Sequence, residues 1–200
     1  MTYQILLIEI ESDVKSTQDK MNGHPCPAGC FHCCTDVATM TRISGVEAKY
    51  IQIGLRQLDV ETRTRIYDKA VATIELLEEK GWTQETITED GGVAALEEIR
   101  EDAQCPMLVD NKCSVYEHRP IVCRSWGFPL IMYGKLNCCE KTIISENKSD
   151  YKPIYYPYFE EQCDKLSQDT DIPDRIPNVY LVKQLIEDIH TPPENIKNRL

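Results

Sequence analysis

Positive charge is scarce in this sequence. It has 22 Lys and Arg residues against 33 Asp and Glu, a formal net charge of −11 over 200 residues. A general binder of nucleic-acid phosphates carries a basic face, and an anionic membrane surface selects one too, so the balance argues against both partners. The acidic excess itself reads as a solubility feature. Long apolar runs are also missing. The patch from Ile5 to Ile8 in MTYQILLIEIESDVK is cut short by Glu9 and Glu11, and no basic region precedes it. It therefore reads as neither an export signal nor a bilayer span. There is no internal repeat and no long low-complexity tract. A G-x-G-x-x-G after a strand, a P-loop, an H-E-x-x-H and a G-x-S-x-G are all absent, so no familiar catalytic motif argues for an enzyme.

What the sequence does have is sulfur. Ten residues are cysteine, and four of them, Cys26, Cys30, Cys33 and Cys34, fall in the stretch GHPCPAGCFHCC. A chain of this length can bury a core without disulfide staples. With no export signal, the expected compartment is the cytoplasm, where thiols stay reduced, and clustered cysteines there point to metal binding or catalysis. Cys105, Cys113 and Cys123 form a second group, followed by the pair Cys138 and Cys139. Cys163 stands alone and reads as a small buried hydrophobe.

The patterning predicts a mainly α fold with small β-hairpins, in which an irregular cysteine-rich lobe packs on a helical body. Ser44 and Glu47 form a capping box ahead of a helix at about 45–58. Asp59 caps a second helix that stops at Gly81, and the short link between them predicts an antiparallel pair. GGVAALEEIRED reads as a third, shorter helix. CPMLVDNKCSVY reads as a hairpin turning at Asp110, Asn111 and Lys112, and FPLIMYGKLNCC as another around Tyr133, Gly134 and Lys135. Between them, Pro120 and Gly127 frame a short helix in RPIVCRSWG. Residues 1–20 form an amphipathic element, helix or strand. Residues 146–178 look irregular, an amphipathic helix follows in NVYLVKQLIEDIH, and the last ten residues read as a tail. The expected organisation is one metal-binding domain over 1–145 with its core motif at 22–140. A C-terminal extension, 146–200, packs on the same domain.

Within C-x3-C-x2-C-C, positions three and four apart would share a helical face, whereas neighbouring Cys33 and Cys34 would diverge by about 100°. The hairpin should bring Cys105 and Cys113 together, with Cys123 on the helix just after. Turn-borne thiolates converging on a point build zinc knuckles, and four thiolates hold an iron–sulfur cluster equally well. His24, His32 and His118 are softer alternatives that could complete a Cys3His site. Of the last pair, Cys138 is the expected ligand and Cys139 the passenger.

CPAGCFHCC, then CPMLVDNKCSVYEHRPIVCRSWG, then a trailing cysteine, resembles the YkgJ-type cysteine-cluster family, also described as CxxCxxCC zinc or iron chelators. The resemblance spans about residues 22–140. It implies metal binding, of zinc or iron, with Cys26, Cys30, Cys33, Cys34, Cys105, Cys113 and Cys123 as the metal-binding thiols and Cys138 or Cys139 as the eighth. Tyr116, Arg119, Pro120 and Arg124 match the rest of the family's C-x-x-Y-x-x-R-P-x-x-C-R core. One departure is the first gap, three residues here where the family label has two. The cluster style also resembles part of the flagellin lysine methylase group.

Four thiolates around Zn²⁺ leave the site at −2, which calls for nearby donors. Arg119 and Arg124 bracket Cys123 and could serve as these supporting partners, or else form surface salt bridges. Three functions compete: a metal-binding module, an iron–sulfur protein with redox or group-transfer activity, and a thiol redox protein using Cys30 and Cys33 as C-x-x-C. The first fits most of the residues. The expected partner is a metal ion, with no nucleic acid and no membrane.

Overall fold

The structure, a computed structural model, describes residues 1–21, 30–35, 41–87, 95, 99, 103–139 and 152–190. It is mainly α with short strands, as the patterning predicts. Helix α1 (Tyr3–Lys20) resolves the open choice at the N-terminus. Thr2 caps it by accepting the Ile5 N–H, and Tyr3, Leu6, Leu7 and Ile10 repeat at helical spacing to form its buried face. Helix α2 (Gly45–Gln57) starts where the capping box places it, with the Glu47 carboxylate accepting the Ser44 N–H at 3.0 Å. Helix α3 (Val60–Glu79) follows Asp59, whose carboxylate accepts the Thr62 N–H at 2.7 Å. Gly81 ends it at φ 84°, in the left-handed region that favours glycine.

The expected α2–α3 pair is not the main packing unit. Helix α3 packs chiefly on the C-terminal helix, which spans Asn178–His190, and α2 packs on that helix and, more extensively, on the helix over Tyr156–Ser167. The C-terminal helix offers an apolar face wide enough to serve both α2 and α3, through Leu181, Val182, Leu185 and Ile186. A single turn, α4 (Gln84–Thr86), follows α3. Of the predicted third helix only Ala95 and Ile99 lie within the described residues, and both are fully buried.

The first hairpin pairs β2 (Leu108–Val109) with β3 (Lys112–Cys113), and Leu108 faces Cys113. Its two-residue turn, Asp110 and Asn111, has φ of 50° and 59°, the doubly left-handed turn that matches strand twist. The second pairs β4 (Leu130–Met132) with β5 (Lys135–Asn137) across Tyr133 and Gly134, again both left-handed. Between them lies α5 (Ile121–Ser125), with Pro120 as its cap residue and Gly127 at φ 101° beyond its end. Strand β6 (Ile154–Tyr155) joins β4 in parallel, and β7 (Ile176–Pro177) pairs antiparallel with β1 (Arg42–Ile43).

The stretch expected to be irregular contains helix α6 (Tyr156–Ser167). Pro157 sits in its first turn, where a missing N–H costs nothing, and Tyr156, Phe159 and Cys163 repeat inward. The helix was obscured because Tyr155, not a capping side chain, precedes it. The C-terminal helix becomes α7. The predicted tail, 191–200, lies outside the described residues. Among the described residues no helix is long and apolar enough to cross a membrane.

Two of the core clusters take in five of the cysteines. One gathers α1, α5, β4 and α6 around Leu6, Ile10, Ile121 and Phe159. The other gathers α2, α7 and the first hairpin around Ile51, Leu55, Leu108 and Leu181. Cys123 packs against the first cluster, whereas Cys34, Cys105 and Cys113 belong to or pack against the second.

Candidate metal centre

The two cysteine-rich stretches meet through the backbone. Cys33 and Cys34 lie in a 3₁₀ turn, His32–Thr35, closed by the Cys34 N–H on the Phe31 carbonyl at 2.9 Å. The Cys34 carbonyl in turn accepts the Cys105 N–H at 2.7 Å. Cys105 is buried, and its carbonyl accepts the Leu108 N–H at 3.0 Å, which starts the hairpin. Cys113 returns along β3, and Cys123 sits in α5.

Five thiols interact electrostatically across this junction: Cys33, Cys34, Cys105, Cys113 and Cys123. Adjacent Cys33 and Cys34 are hydrogen-bonded to each other. The Cys34 thiol supports the Cys33 thiolate and lowers Cys33 to about 7 despite its burial, with the Arg119 charge adding to the effect. The same bond, together with burial, pushes Cys34 far up. Burial raises Cys105 to about 12, Cys113 above the ordinary thiol range and Cys123 well above it; neighbouring thiols add to each.

Two cations bear on this group, Lys69 on Cys105 and Arg119 on Cys33, Cys113 and Cys123. The Arg119 charge favours these three thiolates. The guanidinium stacks 3.5 Å above the Tyr116 ring, and its Nε donates to the Tyr116 carbonyl at 2.8 Å. Arg124 is placed differently. Its three hydrogen bonds go to the Arg119 carbonyl at 3.0 Å, to Glu11 at 2.8 Å and to the Glu117 carbonyl. Its own side chain is only 8% exposed, whereas its ion-pair partner Glu11 is exposed. It ties α1 to the turn at 117–119.

Among the described residues no group of three or more His, Cys, Asp or Glu side chains converges tightly enough to hold a metal ion. Cys26 and His24 lie outside the described residues. Cys30 is exposed, Cys138 half-buried and Cys139 buried, and none of them figures in the main interactions of the five thiols. Cys163 is buried in the first core cluster. His118 is engaged elsewhere. Its ring lies 4.8 Å from that of Tyr50, and a Cβ on Gly54 would come within 2.9 Å of it. Glycine at 54 is what lets the 116–118 turn approach α2.

Two residues make long-range contacts with the cysteine-bearing elements that the sequence reading missed. Glu47, 1% exposed, accepts the Ile121 N–H at 3.0 Å as well as the Ser44 N–H, so one carboxylate caps both α2 and the helix carrying Cys123. The Arg175 guanidinium lies 3.9 Å from it. The capping box signalled Glu47, but nothing local signalled its second client. Asn178, 2% exposed, donates its side-chain amide to Cys105 Sγ at 3.4 Å, a contact with no local sequence pattern.

The sequence profile of the CxxCxxCC family, described as a "Putative zinc- or iron-chelating domain", matches residues 25–132. That is more than half of the 200 residues. The chain belongs to the CxxCxxCC family. The match covers the knuckle, the first hairpin, α5 and β4, and stops before Cys138 and the C-terminal helices. No curated protein and no solved structure matches the chain. The donor set suits what the family description names: clustered soft sulfur ligands beside a guanidinium favour zinc or iron over hard cations.

Proposed function

We propose that this CxxCxxCC protein binds zinc or iron at a composite thiolate site built from residues 26–34 and 105–139. Cys33, Cys34, Cys105, Cys113 and Cys123 form its inner set, and Cys26, Cys30 and Cys138 complete it from the flanks. The observation that carries this reading is the Cys105 N–H to Cys34 carbonyl bond at 2.7 Å, which joins the two stretches where five thiols interact. Zinc would organise the thiolates and convert binding energy into folding energy. Arg119 would offset the negative charge of the loaded site. Arg124 would hold the turn that presents Arg119.

An iron–sulfur cluster is the second reading. It is favoured by the inner set being all sulfur, with His118 engaged in packing. Metal and acid-labile sulfide analysis with a visible spectrum, on protein purified without oxygen, separates the two. Colourless protein with about one or two zinc ions per chain supports the zinc reading. Coloured protein with matching iron and sulfide supports the cluster. Cys33→Ser and Cys113→Ser should each lower the metal content. Full metal content in both variants refutes the composite site.

A further inference from the structure

The C-terminal segment lies beyond the family match, yet it reaches the thiols. Strand β7 pairs with β1, placing Pro177 opposite Arg42, and the Asn178 backbone N–H donates to the Thr41 carbonyl at 2.8 Å. These contacts fix the first residue of α7 in the second core cluster. The Asn178 side chain then meets Cys105, itself only 5% exposed, and its amide nitrogen lies 3.4 Å from the sulfur. The Met107 backbone N–H donates to the same sulfur, so Asn178 adds a side-chain donor to a main-chain one. An N–H donates more strongly to a sulfur that carries charge, so the contact gains strength when Cys105 binds as a thiolate.

We propose that Asn178 is part of the metal centre, as the side-chain donor that, beside the Met107 backbone N–H, tunes the charge density on the Cys105 sulfur. The inference rests on the composite thiolate reading. It makes the segment after residue 132 a working part of the site and not merely its packing partner. A metal-bound thiolate that accepts an N–H is a weaker electron donor, and such partners tune both affinity and electronic structure. Asn178 itself touches no metal. It is a positioning and tuning residue acting through Cys105.

Cobalt(II) loaded into the oxygen-free protein provides the test, because its sulfur-to-cobalt charge-transfer band reports on each thiolate. In Asn178→Ala the cobalt stoichiometry should persist, the band should move to lower energy, and zinc affinity in competition with a chromophoric chelator should fall about 10–100-fold. A band and affinity equal to those of the unaltered protein overturn the proposal. Cys105→Ser separates this failure from failure of the site itself. If that variant keeps the full cobalt spectrum, the composite reading falls and the Asn178 role with it. Should Asn178→Ala not fold, NMR of the unaltered chain loaded with a magnetic cadmium isotope and labelled in its asparagine side chains decides. Scalar coupling between cadmium and a carboxamide proton supports the bond, and its absence overturns the proposal.

Discussion

A thiol must lose its proton before it can bind a metal, so the protonation of the five inner cysteines determines how loading depends on pH. Burial holds Cys105 at about 12 and keeps Cys113 and Cys123 above the ordinary thiol range, so all three carry protons at neutral pH. Cys34 is protonated too, while Cys33, near 7, is partly ionised. Loading at neutral pH should therefore expel roughly three to four protons per zinc held by four thiolates. Affinity should rise with pH and fall in acid. Calorimetry in buffers of different ionisation enthalpy measures the proton count, and a count near zero would mean that these thiols are not the ligands. The two arginines should separate in the same assays. Arg119→Ala removes the charge that favours three thiolates and should weaken zinc binding about tenfold, with little change in the unfolding midpoint. Arg124→Ala removes the bonds to Glu11, Glu117 and Arg119 and should chiefly lower that midpoint. If it leaves midpoint and metal content unchanged, Arg124 plays neither part.

Among the secondary-structure elements, α5 presents Cys123, and at five residues it is too short to hold itself together. Glu47 supplies what is missing by accepting the Ile121 N–H from within α2. Glu47→Ala should cost about 2 kcal/mol, because it leaves the buried Ile121 and Ser44 N–H groups without their carboxylate acceptor, while Arg175 keeps its closer ion pair with Asp164 at 2.7 Å. It should also lower metal content at the Cys123 side. Gly54→Ala tests the same positioning without touching a ligand, since the added methyl would push against the His118 ring and displace the turn that leads to Arg119. Denaturant unfolding paired with zinc titration reads both variants, and wild-type zinc affinity in both would detach these supports from the site. The local signals of these elements were visible in sequence: the Ser44–Glu47 box, the Asp110–Asn111 turn and the Tyr133–Gly134 turn each depend on residues within four positions of one another. What was hidden depends on distant partners. Glu47 finds Ile121, Asn178 finds Cys105, and α6 starts at a tyrosine with no capping side chain. The cysteine spacing identified the two stretches but could not show that Cys33 and Cys34 would be bonded to each other.

Across the whole molecule, the thiols lie at the seam of two cores. Cys34, Cys105 and Cys113 belong to the side built by α2 and α7, and Cys123 to the side built by α1 and α6. A metal bound across that seam cross-links chain segments far apart in sequence. Linking Cys34 to Cys123 across the seam closes a loop of about 90 residues and removes denatured-state entropy worth about 4.6 kcal/mol in the chain-entropy treatment of a covalent link. Metal removal should therefore lower the unfolding midpoint of the whole protein and should loosen the seam first. The two tryptophans can tell these effects apart. Trp126 packs against the first core three residues after Cys123, while Trp82 sits in a separate cluster built on α3 with Ile74 and Leu77. In a Trp82→Phe background, stripping the metal with a chelator should shift Trp126 emission before any loss of helical circular dichroism. In a Trp126→Phe background, Trp82 emission should change only with global unfolding. If both tryptophans respond together, or neither responds until the helices melt, the metal does not bridge the two cores. The thiol site would then be confined to the hairpin side, with Cys123 left as a packing residue of α5.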